Sequence, residues 1–248
     1  MSTSILYMGD DDLGGAASYL AGVLTHHGLA FEHVPSDRSV PFDDLSGRRC
    51  LILSDYPARH FGKAGMSALV EQVIAGCGLL MIGGWESFSG AERQYTGSPI
   101  ADVLPVELVD GDDRVNSAQP VLIDKVADHP IVDGLPWHRP PCVGGYNRFT
   151  ARRDAQTILQ LRHVAVERAD DGYAFKQGAT SPLLVTGQRG AGRVAALATD
   201  VAPHWVGGFV DWGDQRVDAA GPDAEPVQVG EWYARFFANL VAWVAGDL

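Results

Sequence analysis

Asp200 and His204 are the residues whose types and spacing most directly suggest chemistry. Asp200 ends an apolar segment, and His204 follows four residues later, beside Trp205. A histidine next to a carboxylate can act as a general base, because the carboxylate fixes the tautomer of the imidazole ring. We therefore predict catalytic roles for Asp200 and His204, and a ligand contact for Trp205. In the alternative interpretation, Asp200 caps the turn and His204 forms hydrogen bonds within the loop.

A second candidate is the sharp turn in the segment GLLMIGGWESFSG, residues 78–90. A nucleophile elbow has small residues around its nucleophile, because the backbone there is strained and tightly packed. Two glycines precede Trp85, which would occupy the tip and cannot attack a substrate. We predict that Trp85 and Ser87 bind a ligand and that Glu86 acts as an acid. A tight turn without chemistry and covalent catalysis by Ser87 remain alternatives.

Aspartates recur after the apolar segments and in a late loop rich in tryptophan. This set comprises Asp10, Asp11, Asp12, Asp55, Asp211 and Asp214. Clustered carboxylates can hold Mg²⁺ or Ca²⁺, but no ordered ligand spacing is present. We expect ligand contacts from Asp11, Asp55 and Asp211, no bound metal and no cofactor. Residues 10–12 are also typical of a helix cap.

A third polar group lies in the segment GGYNRF, residues 144–149, which we interpret as a loop. Tyr146, Asn147 and Arg148 could recognise a carboxylate or an amide of a substrate, since a guanidinium matches carboxylate geometry. The alternative is ordinary packing of the loop and solvation of its polar groups.

The elements that must position these residues follow from the apolar pattern of the first hundred residues. Strands are predicted at 4–9, 30–35, 49–57 and 78–84, and helices near 10–28 and 65–75. Continuously apolar strands alternating with helices are typical of a parallel sheet that is covered on both faces. Ligands bind such sheets beyond the carboxyl ends of the strands. The residues after these strands should therefore lie close together.

The second half of the chain has a different pattern, rich in proline and glycine. Short strands are predicted at 107–110, 119–124, 157–161 and 163–168, and several of them would form antiparallel additions to the sheet or long loops over it. The segment 181–200 predicts two strands joined by a glycine-rich turn. The last twenty residues predict a helix with an aromatic face. No linker or repeat is visible, so we expect a single domain over residues 1–248.

Composition excludes several classes of function. The chain has 248 residues, is 46% hydrophobic and carries a net charge of −12. An acidic surface repels phosphate groups, so neither nucleic acid nor an anionic membrane is expected as a partner. The three cysteines are far apart, which argues against structural zinc and favours reduced thiols. With no signal peptide or membrane span visible, we expect a soluble, cytoplasmic protein.

The order of several segments resembles the class I glutamine amidotransferase-like proteins, in particular an uncharacterised branch of that family. The segments are LLMIGGWESF, ADVLPVEL, HPIVDGLPW, ATDVAPHW and GGFVDWGD. The resemblance covers nearly the whole chain and implies a flavodoxin-like fold. True amidotransferases carry a G-x-C-x-G elbow, and its cysteine aligns with Trp85. Their H-P-E run is absent, and Asp200 and His204 stand in its place. The resemblance thus implies the scaffold without the catalytic thiol.

Three functions remain open at this point. The first is binding of a small polar ligand at the carboxyl edge of the sheet, on an amidotransferase-like scaffold. The second is a hydrolase or lyase that uses His204 and nearby carboxylates. The third is a homo-oligomeric interaction protein whose tryptophan-rich loop and final helix form the interface.

Overall fold

The computed structural model describes residues 5–92 and 94–248, except for the side chain of Phe42. Its strands are β1 (Ile5–Gly9), β2 (Phe31–Val34), β3 (Cys50–Ser54), β4 (Gly78–Ile82), β5 (Val106–Leu108), β6 (Arg114–Lys125), β7 (Cys142–Asn147), β8 (Phe149–Ala151), β9 (Gln156–Ala169), β10 (Gly172–Arg189), β11 (Gly192–Leu197), β12 (Arg216–Ala219) and β13 (Val227–Gly230). Its α-helices are α1 (Ala17–His26), α2 (Phe42–Leu45), α3 (Gly62–Ala75), α4 (Pro99–Val103), α5 (Pro203–Val206) and α6 (Glu231–Ala245).

The predicted parallel core is confirmed. A nine-stranded sheet has the order β2-β1-β3-β4-β11-β10-β9-β6-β7, and its first five strands are parallel. Every residue of β1, β3 and β4 is buried, because each face of these strands is covered by other elements. This is the mixed α/β, flavodoxin-like fold that the sequence predicts. The carboxyl ends of its parallel strands form one edge.

The antiparallel half is also confirmed, with two corrections. β10 and β11 form the predicted hairpin, with Gly190 at φ +56° in its turn. The two predicted strands at 157–161 and 163–168 are a single strand, β9. The predicted loop at 144–149 is wrong: Tyr146 and Asn147 belong to β7. Glycine is unfavourable inside a strand, but at position 145 it is needed for packing, because a Cβ there would lie 2.3 Å from the Trp205 ring.

The sheet curls so that its last strand returns to the parallel core. β7 and β2 are the two end strands of this sheet, yet the Asn147 backbone amide, at the end of β7, donates to the Ala198 carbonyl just after β11, at 2.8 Å. The Thr199 hydroxyl likewise donates to the Gly145 carbonyl at 2.9 Å. The end of β7 therefore lies at the carboxyl end of β11, beside the tips of the parallel strands.

The predicted helix cap at residues 10–12 is wrong. Helix α1 begins at Ala17, and its N-cap residue makes no side-chain capping bond. Asp12 instead accepts a hydrogen bond from the Gly14 amide at 2.8 Å, because two glycines at 14 and 15 favour a turn over a helix. The predicted end is confirmed, with Gly28 at φ +70° just beyond the helix.

The aromatic residues of the final helix and the late loop pack inside the chain. Tyr233, Phe236 and Phe237 of α6 are fully buried, and Trp205 and Trp212 of the loop are at most 6% exposed. These rings contribute to the core, whereas Trp232 and Trp243 of α6 are only partly buried. A homo-oligomer interface at this helix and loop stays a prediction. Among the described helices, none is long and apolar enough to cross a membrane.

Candidate functional site

The tips of four neighbouring strands meet at the carboxyl edge of the sheet. The Asp10 amide, after β1, donates to the Ser54 carbonyl at the end of β3, at 2.7 Å. The Gly83 amide, after β4, donates to the Thr199 carbonyl after β11, at 3.1 Å. These bonds tie the tips in pairs, as the sequence predicts for adjacent parallel strands. Asp10 follows the tip of β1, Asp55 follows the tip of β3, and Asp200 follows the tip of β11.

Asp10 and Asp55 adopt backbone conformations that are rare for residues other than glycine. Their φ angles are +53° and +48°, in the left-handed region. Such residues cost free energy and cluster at functional sites, although aspartate tolerates the region better than most residues. The tips of β1 and β3 also lie close together: a Cβ added at Gly9 would be only 1.6 Å from the Ser54 carbonyl oxygen. Two aspartates are therefore held in strained turns at one edge.

The three strand-tip carboxyls are electrostatically coupled. Burial, and then the charge of Asp200, raises the pKa of Asp10 well above its usual value. The same two causes raise the pKa of Asp55 to about 7. Burial raises the pKa of Asp200 to about 6, opposed by hydrogen bonds from the amides of residues 201 and 202 and by the charge of His204. We call Asp10, Asp55 and Asp200 the carboxyl cluster. Near neutral pH Asp10 retains its proton and Asp55 is partly protonated, whereas Asp200 is mostly ionised.

Two buried tyrosines support the carboxyl cluster. The Tyr7 hydroxyl donates to the Asp10 carboxylate, and the Tyr233 hydroxyl donates to the Val201 carbonyl at 2.7 Å. The pKa of each phenol is raised well above its usual value, mainly by burial and secondly by Asp10 for Tyr7 and by Asp200 for Tyr233. Both tyrosines remain neutral donors. The Ser54 hydroxyl is buried in the same region, and its interaction with Asp10 acts to lower the pKa of that carboxyl.

The turn after β4 wraps around Asp55. The Glu86 amide donates to the Asp55 carboxylate at 2.6 Å, and the Asp55 amide donates to the Ser87 hydroxyl at 3.1 Å. Gly84 permits this approach, since a Cβ there would lie 2.3 Å from the Asp55 carboxylate. Ser87 is 1% exposed, so its hydroxyl holds the turn and does not face solvent. The turn and the tip of β3 form one unit.

Trp85 and Glu86 project outward from this turn. Trp85 is 49% exposed, and the Arg114 guanidinium lies 4.5 Å from the centre of its ring. The Glu86 carboxylate forms an ion pair with Arg59 at 2.6 Å. The backbone of Glu86 therefore contacts Asp55, while its carboxylate is neutralised by an arginine.

Asn147 is the one member of the predicted group at 146–148 that reaches the turn. It is fully buried, and its side chain bonds to both backbone groups of Gly84. Tyr146 instead bonds to His163 at 2.9 Å, and Arg148 is exposed and donates to the Asp112 carbonyl. The structure thus separates three residues that the sequence grouped together.

Asp113 is a structural part of the site that the sequence analysis missed. It is fully buried and accepts hydrogen bonds from the amides of Ser89 and Gly90 and from the Asn147 side chain. The sequence places Asp10 directly after a buried strand, although the ligand contact predicted at that tip is Asp11. Nothing comparable marks Asp113, which lies in a polar loop.

The remaining predicted residues lie around this centre or away from it. His204 is exposed on α5 and affects Asp200 through its charge. Trp205 is buried, and its indole donates to the Asn116 side chain at 2.7 Å. Asp11 is exposed and lines a cavity of about 610 Å³ with residues 35–38. Asp211 is exposed and forms an ion pair with Arg216 at 2.5 Å.

Two further kinds of reactive group are the cysteines and the possible metal ligands. Cys50 begins β3 and Cys77 precedes β4, at the edge of the sheet opposite the carboxyl cluster. Burial raises the pKa of Cys77 to about 12 and that of Cys142, at the start of β7, above its usual value. Within the described residues, no three His, Cys, Asp or Glu side chains are arranged to hold a metal ion.

Comparison with known proteins assigns a family. The family model GATase1_like, described as "Putative glutamine amidotransferase", matches residues 62–217. The chain is similar to the cytoplasmic protein STM3548 of Salmonella typhimurium, with 25% identity, a TM-score of 0.75, and coverage of 97% of this chain and 98% of that one. It is also similar to the cytoplasmic protein STM1381 of Salmonella typhimurium LT2, with 24% identity, a TM-score of 0.74, and coverage of 97% of this chain and 98% of that one.

A more distant structure shares the fold alone. It is described as a "putative gmp synthase subunit a protein" from Thermoplasma acidophilum, with 14% identity, a TM-score of 0.50, and coverage of 99% of this chain and 96% of that one. No curated protein sequence matches this chain.

Proposed function

This chain belongs to the GATase1_like family of glutamine amidotransferase-like proteins, and on that premise we propose that it binds a small polar ligand at the carboxyl edge of its sheet. The observation that carries the proposal is the convergence of Asp10, Asp55 and Asp200 on neighbouring strand tips, with raised pKa values. Open α/β sheets bind ligands at this edge. Perturbed carboxyls gathered there mark a candidate site on physical grounds.

The chemistry of the cluster favours a ligand that carries an amine or another cationic group. The described ion pairs include no basic partner for Asp10, Asp55 or Asp200, and burial alone makes their charged forms costly. A cationic group would replace the retained protons and satisfy the carboxylates. Asp55 is the accessible member, since it is only partly buried and adjoins the exposed Trp85.

Ammonia release from glutamine through a cysteine is not the activity we propose. The turn after β4 contains Gly83, Gly84 and Trp85, and no thiol. Cys50 and Cys77 lie at the opposite edge, and burial raises the pKa of both thiols. A thiolate is the reactive form, so these cysteines are poor nucleophiles. This supports a scaffold that retains the family fold and uses its ligand edge differently.

A second candidate function is a hydrolase or lyase. Asp55 and Asp200 have pKa values of about 7 and 6, which lie in the range of efficient general acids and bases near neutral pH. His204 is close enough to affect Asp200 by its charge. The pH–rate profile of any activity found should lose its near-neutral limb in His204→Ala, and an unchanged profile would exclude that histidine as the base.

The binding proposal is tested by thermal unfolding with amine probes. L-ornithine, putrescine and L-glutamine are added separately, with acetate as an anionic control. A ligand that binds only the native state raises the melting temperature. We expect a rise with an amine probe in the wild type, loss of the rise in Asp55→Asn, and its retention in the matched control Asp128→Asn, whose side chain is 93% exposed. Equal responses of both variants, or no response to any amine, would contradict the proposal.

We also propose a cytoplasmic location and a single domain. The names of the two Salmonella proteins support the location. One continuous core cluster that contains residues from β1 through α6 supports the single domain.

A further inference from the structure

The outer part of the β9–β10 hairpin extends away from the sheet. We call this segment, residues 162–180, the ribbon; it is bounded by the pairing of Arg162 with Thr180. β6 pairs with β9 only as far as Arg162, and β11 pairs with β10 only from Leu184 onward. In the part of the chain that the structure describes, the ribbon therefore has two strands and two unpaired edges. Isolated two-stranded ribbons are marginally stable in water.

The two faces of the ribbon differ sharply. Directly opposed residues of an antiparallel pair share a face, so the pairings Val166–Phe175 and Arg168–Tyr173 place both aromatic rings on one side. Both rings are 73% exposed and Val166 is 41% exposed. The other face is small and polar, with an ion pair between Lys176 and Glu167 at 2.7 Å. The ribbon is amphipathic, and its apolar face is uncovered.

The apolar face continues into a groove at the base of the ribbon. A cavity of about 600 Å³ lies between Val164, Val166 and Phe175 of the ribbon and Pro120 and Leu122 of β6. Pro120 lacks an amide hydrogen and cannot extend the β6–β9 ladder, which keeps this groove open. An aromatic ring from outside would be buried here against apolar side chains.

Charge indicates which partner covers this face. The ribbon carries three basic residues (Arg162, Arg168 and Lys176) and three acidic ones (Glu167, Asp170 and Asp171), so it has no net charge. The chain as a whole has a net charge of −12. Two copies of an acidic protein repel each other over most of their surfaces, but not over a neutral, apolar segment. A basic partner would be attracted to the rest of the surface rather than to the ribbon.

We propose that the ribbon is the contact surface of a homodimer, in which its apolar face packs against the same face of a second copy. Phe175 and Tyr173 of each chain enter the groove of the other, as a two-fold symmetric contact requires. The contact covers the exposed rings and stabilises both ribbons. This interface is independent of the carboxyl cluster and distinct from the one predicted at the final helix.

Sedimentation velocity over a range of protein concentrations tests the proposal. We expect a dimer for the wild type, and a dissociation constant at least about tenfold higher for Phe175→Ser and for Tyr173→Ser, because exposed aromatic anchors dominate such contacts. Trp85→Ser removes an exposed ring outside the ribbon and should leave the dimer intact. Since these side chains are exposed in the single chain, the variants should fold.

Hydrogen exchange gives a second measurement. Amides of the ribbon should become more protected as protein concentration increases, and this gain should disappear in Phe175→Ser. A wild type that stays monomeric at every concentration would overturn the proposal. A dimer that survives both ribbon substitutions would overturn it as well.

Discussion

Asn147 holds Gly84 through both of the glycine's backbone groups. The Gly84 amide donates to Asn147 Oδ1 at 2.9 Å, and Asn147 Nδ2 donates to the Gly84 carbonyl at 3.1 Å. A residue from the last strand of the sheet thereby fixes the turn after β4. The same Nδ2 group donates to Asp113 at 2.8 Å, which in turn accepts from the turn's later amides. The shape of the site depends on this clamp, by which we mean the two hydrogen bonds between Asn147 and Gly84.

Replacing Asn147 should destabilise the protein strongly. Asn147→Ala leaves the Gly84 amide and carbonyl buried without partners, which we expect to lower the free energy of unfolding by on the order of 2–4 kcal/mol. Urea denaturation measures the change. Gln215→Ala, at an exposed amide side chain outside the ribbon, is the control and should stay within about 0.5 kcal/mol. A similarly small effect at position 147 would mean that the clamp is not important for stability.

The close packing of the strand tips predicts that alanine substitutions at two glycines differ in their cost to stability. A Cβ at Gly83 would lie 2.1 Å from the Ala198 carbonyl oxygen, which is backbone and cannot move away cheaply. Gly83→Ala should therefore cost about 3 kcal/mol or more. At Gly97 nothing lies within 4 Å, and only the φ of +74° opposes a side chain, so Gly97→Ala should cost about 1–2 kcal/mol. Thermal unfolding compares them, and equal losses would argue against the packing described here.

The raised pKa of Asp55 makes stability depend on pH in a defined direction. The folded chain retains a proton up to a pKa of about 7, whereas the unfolded chain releases it near the usual value of 3.8. Between these values the folded state binds more protons, so stability falls as pH rises. Asp55→Asn removes this dependence and tolerates the positive φ. It should be more stable than the wild type above neutral pH, by on the order of 2 kcal/mol, with the gap closing toward pH 4.

Chemical denaturation at several pH values measures that gap. Asp128→Asn, on an exposed side chain, should give a small difference that stays constant through the neutral range, because Lys125 lowers the pKa of Asp128. If the two Asn variants behaved alike, burial of the Asp55 charge would not be a cost to the fold.

The cysteines should react slowly with alkylating reagents and should not release ammonia from glutamine. Burial raises the pKa of Cys50, Cys77 and Cys142, so alkylation of the native protein near pH 8 should be slower than alkylation of the denatured chain. Mass spectrometry after timed labelling compares the two. A glutaminase assay should detect no ammonia release. Release that stopped in Cys142→Ser or Cys77→Ser would refute our account of the scaffold.

The parallel half of the fold could be predicted because each buried strand is a continuous apolar run with a polar residue at its end. That pattern also located Asp55 and Asp200. It could not locate Asp113 or the return of Asn147 to the site, because both depend on how far the sheet curls. Sheet curvature arises from the packing of distant strands, and no local pattern in residues 144–149 records it. Burial of Trp205 was hidden for the same reason, since its partners are Gly145 and Asn116.

The predicted helix cap at residues 10–12 was wrong for a local reason. Asp12 has a side chain suited to capping, but Gly14 and Gly15 lower helix propensity enough for the turn to prevail. The exposed ring of Trp85 followed from its position at the tip of a turn, whereas the stacking of Arg114 on it required the placement of β6.

Carbon-13 NMR titration of the aspartate side-chain carboxyls, with and without L-ornithine, tests the central claim most directly. We predict that Asp55 titrates near pH 7 in the free protein, and that its pKa falls when the amine binds, because a cation favours the carboxylate. Asp128 provides the exposed reference in the same spectrum. An Asp55 carboxyl that titrates near its usual value and does not respond to the amine would contradict the proposed ligand site.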